Sequence, residues 1–306
     1  MSLAQGTVIT VLRGACEVVS GERLTRLRLS GTNAHKEHSL AVGDLVRFDP
    51  AKAALVEVLP RRTQLARLRS FGKPRPQVIA ANADRLAIVV SVASPPFRSG
   101  AVDRFLLAAH AGGLAALLVV NKIDLLAAGE ELPDEVRAYE GIVPLLAVSA
   151  ATGAGLGALR AALVDGTTVL AGHSGVGKSS LVNALEPELR LETGEISAKW
   201  DRGRHTTARA VYLRLAGGAV LIDTPGVREI GTGPVDPDLL GLVYPDVALL
   251  AAGCRFRDCR HRAEPGCAVR AAVEAGRLRP ARLASYTRLV DELEAARSEK
   301  ESPRDR

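Results

Sequence analysis

The tetrapeptide Asn121-Lys122-Ile123-Asp124 closes the apolar run LLVVN, and the octapeptide GHSGVGKS, Gly172 to Ser179, comes after it in the chain. No other feature restricts the possible folds as much as this order. The octapeptide fits G-x-x-x-x-G-K-S between an expected strand, TTVLAG, and an expected helix, GKSSLVNAL. In that context glycines let backbone N–H groups wrap phosphates, and the helix N-terminus adds its positive dipole. Gly172, His173, Ser174, Gly175, Val176 and Gly177 would form the loop. Lys178 would reach the β- and γ-phosphates, the Ser179 hydroxyl would ligate Mg²⁺, and Ser180 continues the helix. The loop alone does not separate ATP from GTP.

Asn-Lys-x-Asp separates them. Asn121 can pair with the guanine O6, and Asp124 can accept from N1–H and the exocyclic amine, which adenine does not offer. Lys122 would lay its stem along the base, with Ile123 carried between them. In an ordinary GTP-binding fold this tetrapeptide lies downstream of the phosphate loop. Here DTPG, Asp223 to Gly226, follows the apolar strand AVLI, and no asparagine occurs after Asn183. A carboxylate at Asp223 can hold Mg²⁺ through water, and the Gly226 N–H can sense a γ-phosphate. Base recognition must therefore come from upstream, with a second base loop in AVSAATG at Ser149 and Ala150. The short VDGT connector would join the fold's usual last helix to its usual first strand. The expected fold is a circularly permuted α/β P-loop domain, which requires the joined ends to be neighbours in space.

Between the phosphate loop and DTPG lies SAKWDRGRHTTARAV. Thr207 is the first choice, and Thr206 the second, for a switch threonine on Mg²⁺ and the γ-phosphate. Where many GTPases carry a water-orienting glutamine, this chain has Val227. His205 is the nearest polar candidate to position water. Arg204 could instead neutralise transition-state charge.

Of 306 residues 47% are apolar and 24% charged, so the composition is that of a soluble globular protein. No apolar run approaches the roughly 20 residues that span a bilayer. MSLAQGTVITV lacks a secretory pattern, so a cytoplasmic protein without a membrane partner is expected. A net charge of +6 points to a polyanionic partner. From Pro60 to Gln77 there are six basic residues and no acidic one, which reads either as a solvated linker or as a phosphate-backbone contact.

The first 60 residues read as short Val- and Leu-rich strands broken by turns, which suits a small closed barrel such as an OB-fold; a small sandwich or SH3-like barrel would read the same. From Asp84 strands alternate with helices, the pattern of a parallel sheet. The expected organisation is a barrel over 1–62, a basic linker over 63–83, the permuted nucleotide domain over 84–230, and a zinc-binding, partly helical domain over 231–306. Cys254, Cys259, His261 and Cys267 give C-x4-C-x-H-x5-C. Three thiolates and an imidazole form a closed tetrahedral set for one structural Zn²⁺. Arg255, Arg257, Arg260 and Arg262 interleave with these ligands on a knob suited to RNA phosphates.

Taken in this order, NKID, GHSGVGKSSLVNAL, GRHTT, DTPGVREI and CRFRDCRHRAEPGC resemble the RsgA (YjeQ/EngC) family of small-subunit-dependent GTPases, over nearly the whole chain. The resemblance implies an OB-fold barrel, a permuted GTPase domain and a zinc domain. It implies a GTP/GDP cycle, rRNA binding and hydrolysis stimulated by the small (30S) ribosomal subunit during late maturation near the decoding centre. It also implies that His205 replaces the missing glutamine. Ala208 stands where a third threonine is frequent, which bears on the choice between Thr206 and Thr207. A monomer is expected. The competing readings are a GTPase switch, an RNA-binding assembly module that uses GTP as a static ligand, and an ATP-dependent RNA remodeller. Asn121 and Asp124 disfavour the last.

Overall fold

Strands β1 (Ala4–Leu12), β2 (Ala15–Ser20), β3 (Arg23–Arg28), β4 (Leu45–Asp49) and β5 (Ala54–Val58) close into a barrel of order β1-β2-β3-β5-β4. The computed structural model from which this is read describes residues 3–29, 40–68, 76–189, 211–224 and 237–301. Alternation explains the closure: Val8, Cys16, Val18, Leu27, Val46 and Phe48 point inward into a core of their own, while Arg23, Arg26, Arg28 and Arg47 stay outside. The parallel β3–β5 contact and antiparallel β1–β4 pair complete the OB-like arrangement.

The basic segment expected as a linker contains a hairpin, β6 (Gln64–Leu68) with β7 (Pro76–Ala81), antiparallel. Leu65, Ala80 and Ala81 lie fully inside, and these apolar residues are hidden in sequence by the surrounding arginines. Two polar joints fix the hairpin to the barrel. Arg61 donates to both oxygens of the buried Asp44 at 2.7 and 2.9 Å, and Asn82 donates to the Gly43 carbonyl at 2.9 Å.

A six-stranded sheet follows, with β8 (Arg85–Ser91), β9 (Ala115–Asn121), β10 (Leu145–Ala147), β11 (Thr167–Ala171), β12 (Val211–Arg214) and β13 (Val220–Asp223) in the order β10-β9-β8-β11-β13-β12. All neighbours are parallel except β12–β13, which pair antiparallel across the turn at Gly217 and Gly218. Both faces are covered, so the strands read as continuous apolar runs. Leu86, Ile88, Val90, Leu118, Val120, Val169 and Ile222 face one side. Ala87, Val89, Leu117, Val119, Leu170 and Leu221 face the other, under α3 (Leu156–Leu163) and α4 (Lys178–Leu185). The permutation joint lies between α3 and β11. There the Asp84 N–H donates to the Thr167 carbonyl at 2.8 Å and its carboxylate accepts the Thr167 N–H at 2.7 Å, while Arg62 donates to its other oxygen at 2.6 Å. Burial pushes the Asp84 carboxyl up, but the Thr167 N–H and Arg62 outweigh it and leave it below its usual range.

The first face is completed by α1 (Ser99–Ala111), α2 (Asp134–Arg137) and the C-terminal helices α5 (Pro237–Val243), α6 (Pro245–Ala251), α7 (Ala268–Glu274) and α8 (Pro280–Glu301). Val102, Phe105 and Leu106 of α1 share one apolar core with Val243, Tyr244, Val247, Val269, Leu289 and Leu293. Inside that core Asp103, fully buried, accepts from Tyr139 Oη at 2.7 Å and from the Ser285 hydroxyl. The equally buried Arg282 donates to Asp246 at 3.0 Å and lies 4.2 Å from the Tyr244 ring centroid. No helix among the described residues is long and apolar enough to cross a membrane.

Candidate functional site

Three loops meet at the C-terminal edge of the sheet, the edge where open α/β sheets hold ligands. The loop after β11 carries Gly172 to Gly177, and α4 starts at Lys178 with Ser179 and Ser180 in its first turn. Gly177 has φ +94°, and a Cβ there would collide with the Asn121 amide nitrogen. Only glycine lets the phosphate loop and the base loop approach this closely. The Lys178 ammonium donates to the carbonyls of Gly172 at 2.7 Å and His173 at 3.0 Å, which holds the loop in its wrapped form. His173 is half-buried, with Nδ1 3.1 Å from the Ser174 carbonyl, while Ser174 and Gly175 face solvent and Val176 is buried.

The strand β9 ends at Asn121, so the upstream tetrapeptide lands beside the downstream phosphate loop. Asn121 Nδ2 donates to the Val176 carbonyl at 2.9 Å, and its Oδ1 accepts the Ala150 N–H at 3.1 Å. One amide thus ties three loops together and keeps a second N–H for a ligand. Lys122 adopts φ +65° and donates to the Ser94 carbonyl. Ile123 is half-buried and bonds through its N–H to the Val148 carbonyl at 3.2 Å. Asp124 Oδ1 accepts from the buried Ser149 hydroxyl at 2.5 Å, which ties the first base loop to the second. Ser91 and Ser94 escape motif reading. The Ser91 hydroxyl accepts the Ala93 and Ser94 N–H groups at 3.3 and 3.2 Å and so presents the Ser94 carbonyl. A backbone acceptor leaves no residue-specific signal in sequence.

Asp223 stands at the end of β13, beside the phosphate loop, at 4% exposure. Its Oδ1 has no hydrogen-bond partner among the described residues. Burial pushes its carboxyl up, opposed by the Lys178 ammonium and the Thr224 N–H. A buried carboxylate oxygen without a donor is what a Mg²⁺ ion with its waters would satisfy, so the chemistry of Asp223 and Ser179 fits that ion. Thr224 is anchored by its hydroxyl to the Leu170 carbonyl at 2.9 Å. Arg204, His205, Thr206, Thr207, Gly226 and Val227 lie outside the described residues.

The second cluster gathers Cys254, Cys259, His261 and Cys267, whose ligand atoms all lie within 4.8 Å of one another. Cys254 Sγ and Cys267 Sγ are 4.0 Å apart, and His261 Nδ1 lies 3.6 and 3.4 Å from them. A tetrahedral ion with bonds of about 2.0–2.3 Å sets edges of roughly 3.5–3.8 Å, so the spacing fits. His261 takes φ +60° to turn its ring inward. Burial raises the Cys254 thiol, but the N–H groups of Val269 and Ala268 and the neighbouring thiols outweigh it and lower it. Burial and the adjacent Cys267 and Cys254 push Cys259 up to about 11, and a bound cation would favour its thiolate. Of the four interleaved arginines, Arg260 and Arg262 turn back onto Glu294 and Asp291 of α8. The other two, Arg255 and Arg257, face solvent.

With this geometry in view, the relatives are informative. The family model described as RsgA GTPase matches residues 58–233. A small ribosomal subunit biogenesis GTPase RsgA from Gemmatimonas aurantiaca is 39% identical over 94% of this chain and 97% of its own length. One of the same name from Opitutus terrae is 43% identical, over 82% of this chain and 72% of its own. Among solved structures, YjeQ from Thermotoga maritima aligns with a TM-score of 0.70 at 28% identity, covering 95% and 99% of the two chains. YloQ, described as a circularly permuted GTPase, aligns at 0.67 and 27% identity, covering 96% of each. Motif order, sheet order and family match agree, and the chain belongs to the RsgA GTPase family.

Proposed function

We propose that the chain is a GTP hydrolase that acts as a switch in late maturation of the small ribosomal subunit, binding its rRNA and stimulated by it. The Asn121 amide carries the reading. It joins an upstream base loop to the phosphate loop through the Val176 carbonyl, and to the second base loop through the Ala150 N–H. Guanine would be held by Asn121, Lys122, Ile123 and Asp124, and the phosphates by the loop from Gly172 to Gly177 with Lys178, Ser179 and Ser180. Mg²⁺ would be held by Ser179 and Thr207 with Asp223 through water. When bound, the ion neutralises charge on the β- and γ-phosphates. Gly226 would sense the γ-phosphate and His205 would position the attacking water, in place of a glutamine. Zn²⁺ in the Cys₃His cluster is structural, because no ligand position is left open. The relatives' printed names supply the small subunit as partner.

The test is GTP turnover by the chain alone, with purified small subunits and with large subunits. Strong stimulation by small subunits only is expected. His205→Ala should then lose at least tenfold in turnover while keeping nucleotide affinity. No stimulation by either subunit, with GTP still bound, would favour the module that holds GTP as a static ligand.

A further inference from the structure

The loop between the cluster residues Cys254 and Cys259 carries Arg255, Phe256, Arg257 and Asp258, all exposed. Phe256 keeps 41% of its surface in solvent. The chain's other described phenylalanines are used in packing: Phe48 and Phe105 fill cores, and Phe97 meets Tyr139 edge-on. The backbone under Phe256 is fixed rather than loose. The Arg255 N–H bonds to the Gly266 carbonyl at 3.1 Å, and the Phe256 carbonyl accepts the Cys259 N–H at 3.3 Å. With a metal on Cys254 and Cys259, both ends of this tip are clamped. The Arg255 guanidinium lies 5.5 Å from the ring centroid. Arg257 makes no ion pair or hydrogen bond among the described residues, whereas Arg260 and Arg262 are paired to acids on α8. Asp258, beside Arg257, is the one acidic group in the tip.

We infer that this tip is a stacking site for an unpaired RNA base. The base would lie on Phe256 beside the Arg255 plane, and Arg257 would take an adjacent phosphate. A single exposed aromatic needs no explanation, but one set on a clamped tip between two arginines that make no ion pair among the described residues has the composition that reads unstacked bases in RNA. Duplex RNA offers no open base face, so the ligand is a single-stranded or bulged nucleotide. This site rests on the reading above that the chain binds small-subunit rRNA.

The experiment measures binding of the full-length, zinc-loaded chain to small subunits with a GTP analogue, and to a short single-stranded oligoribonucleotide, over a range of salt. Zinc content and GTP affinity serve as controls for folding. Phe256→Ala should weaken both affinities by about 5- to 100-fold without changing the salt dependence, and Phe256→Tyr should restore them. Arg257→Ala should reduce the slope of log K against log salt by roughly 0.7, one single-strand phosphate contact. Phe256→Ala binding like the wild type overturns the site alone. Loss on subunits without loss on the oligoribonucleotide also overturns it, since the tip would then meet protein. A wild-type chain that binds neither probe overturns the rRNA reading itself.

Discussion

At the scale of single residues, Asp223 Oδ1 is one of four buried side-chain atoms without a hydrogen-bond partner among the described residues, and it stands beside the phosphate loop. Its carboxyl is raised by burial, so the folded chain holds that proton more tightly than the unfolded one does. Stability from this group is therefore fully present below the ordinary carboxylate value of about 3.9 and is lost as pH rises through the raised value. Asp223→Asn should remove that loss. The nucleotide-free variant should melt roughly 2–4 °C higher at neutral pH, with the gap closing in acid, and should lose Mg²⁺-dependent GTP affinity. Melting and titration with and without Mg²⁺ check both halves. A variant that gained no stability at neutral pH would mean that Oδ1 is satisfied by something other than the ion. Residues of this kind are legible in sequence, because Asn121, Lys178 and Asp223 act through side chains at fixed motif positions. Ser94 is not, since it acts through a carbonyl that any residue could supply.

Between elements, the lock of α1 on α8 is polar and buried, with Asp103 accepting from residues 36 and 182 positions away. Removing one donor leaves a buried carboxylate under-satisfied, whereas removing the whole group does not. Ser285→Ala should cost about 1–3 kcal/mol in urea unfolding. The triple change Asp103→Leu, Tyr139→Phe, Ser285→Ala should cost less than the sum of its single changes. Strict additivity would show that the three do not form one network. No sequence pattern announces such a lock, because its partners have no fixed spacing. The sheet strands are legible for the opposite reason: each is a continuous apolar run covered on both faces, as AALLVVN and RLAIVVS show. The β6–β7 hairpin falls between these cases, with Leu65, Ala80 and Ala81 buried in a stretch whose arginines make it read as solvated.

For the whole molecule, three apolar cores matter: one inside the barrel, one under α3 and α4, and one joining the other face of the sheet to the C-terminal helices. The barrel has its own core, while the C-terminal helices and α1 share theirs, and Cys254, Cys259 and Cys267 pack against that shared core. The His261 ring lies 5.8 Å from Tyr286, which lies 5.2 Å from Tyr244, over which Arg282 stacks. The Cys₃His cluster is thus linked through Tyr286 and Tyr244 to the core that α1 shares. A structural Zn²⁺ can contribute on the order of 10 kcal/mol to a small fold, comparable to the whole stability of an ordinary domain. Stripping the metal with a chelator should therefore loosen more than the cysteine loop. Hydrogen exchange should show protection lost across α7, α8 and α1 together, with β1 to β5 largely unchanged because their inward residues form the separate core of Val8, Cys16, Val18, Leu27, Val46 and Phe48. Adding Zn²⁺ back should restore all three helices at once. Loss confined to the loop and α7, with α1 fully protected, would mean that the cluster stabilises only its own turn and that the shared core stands without it.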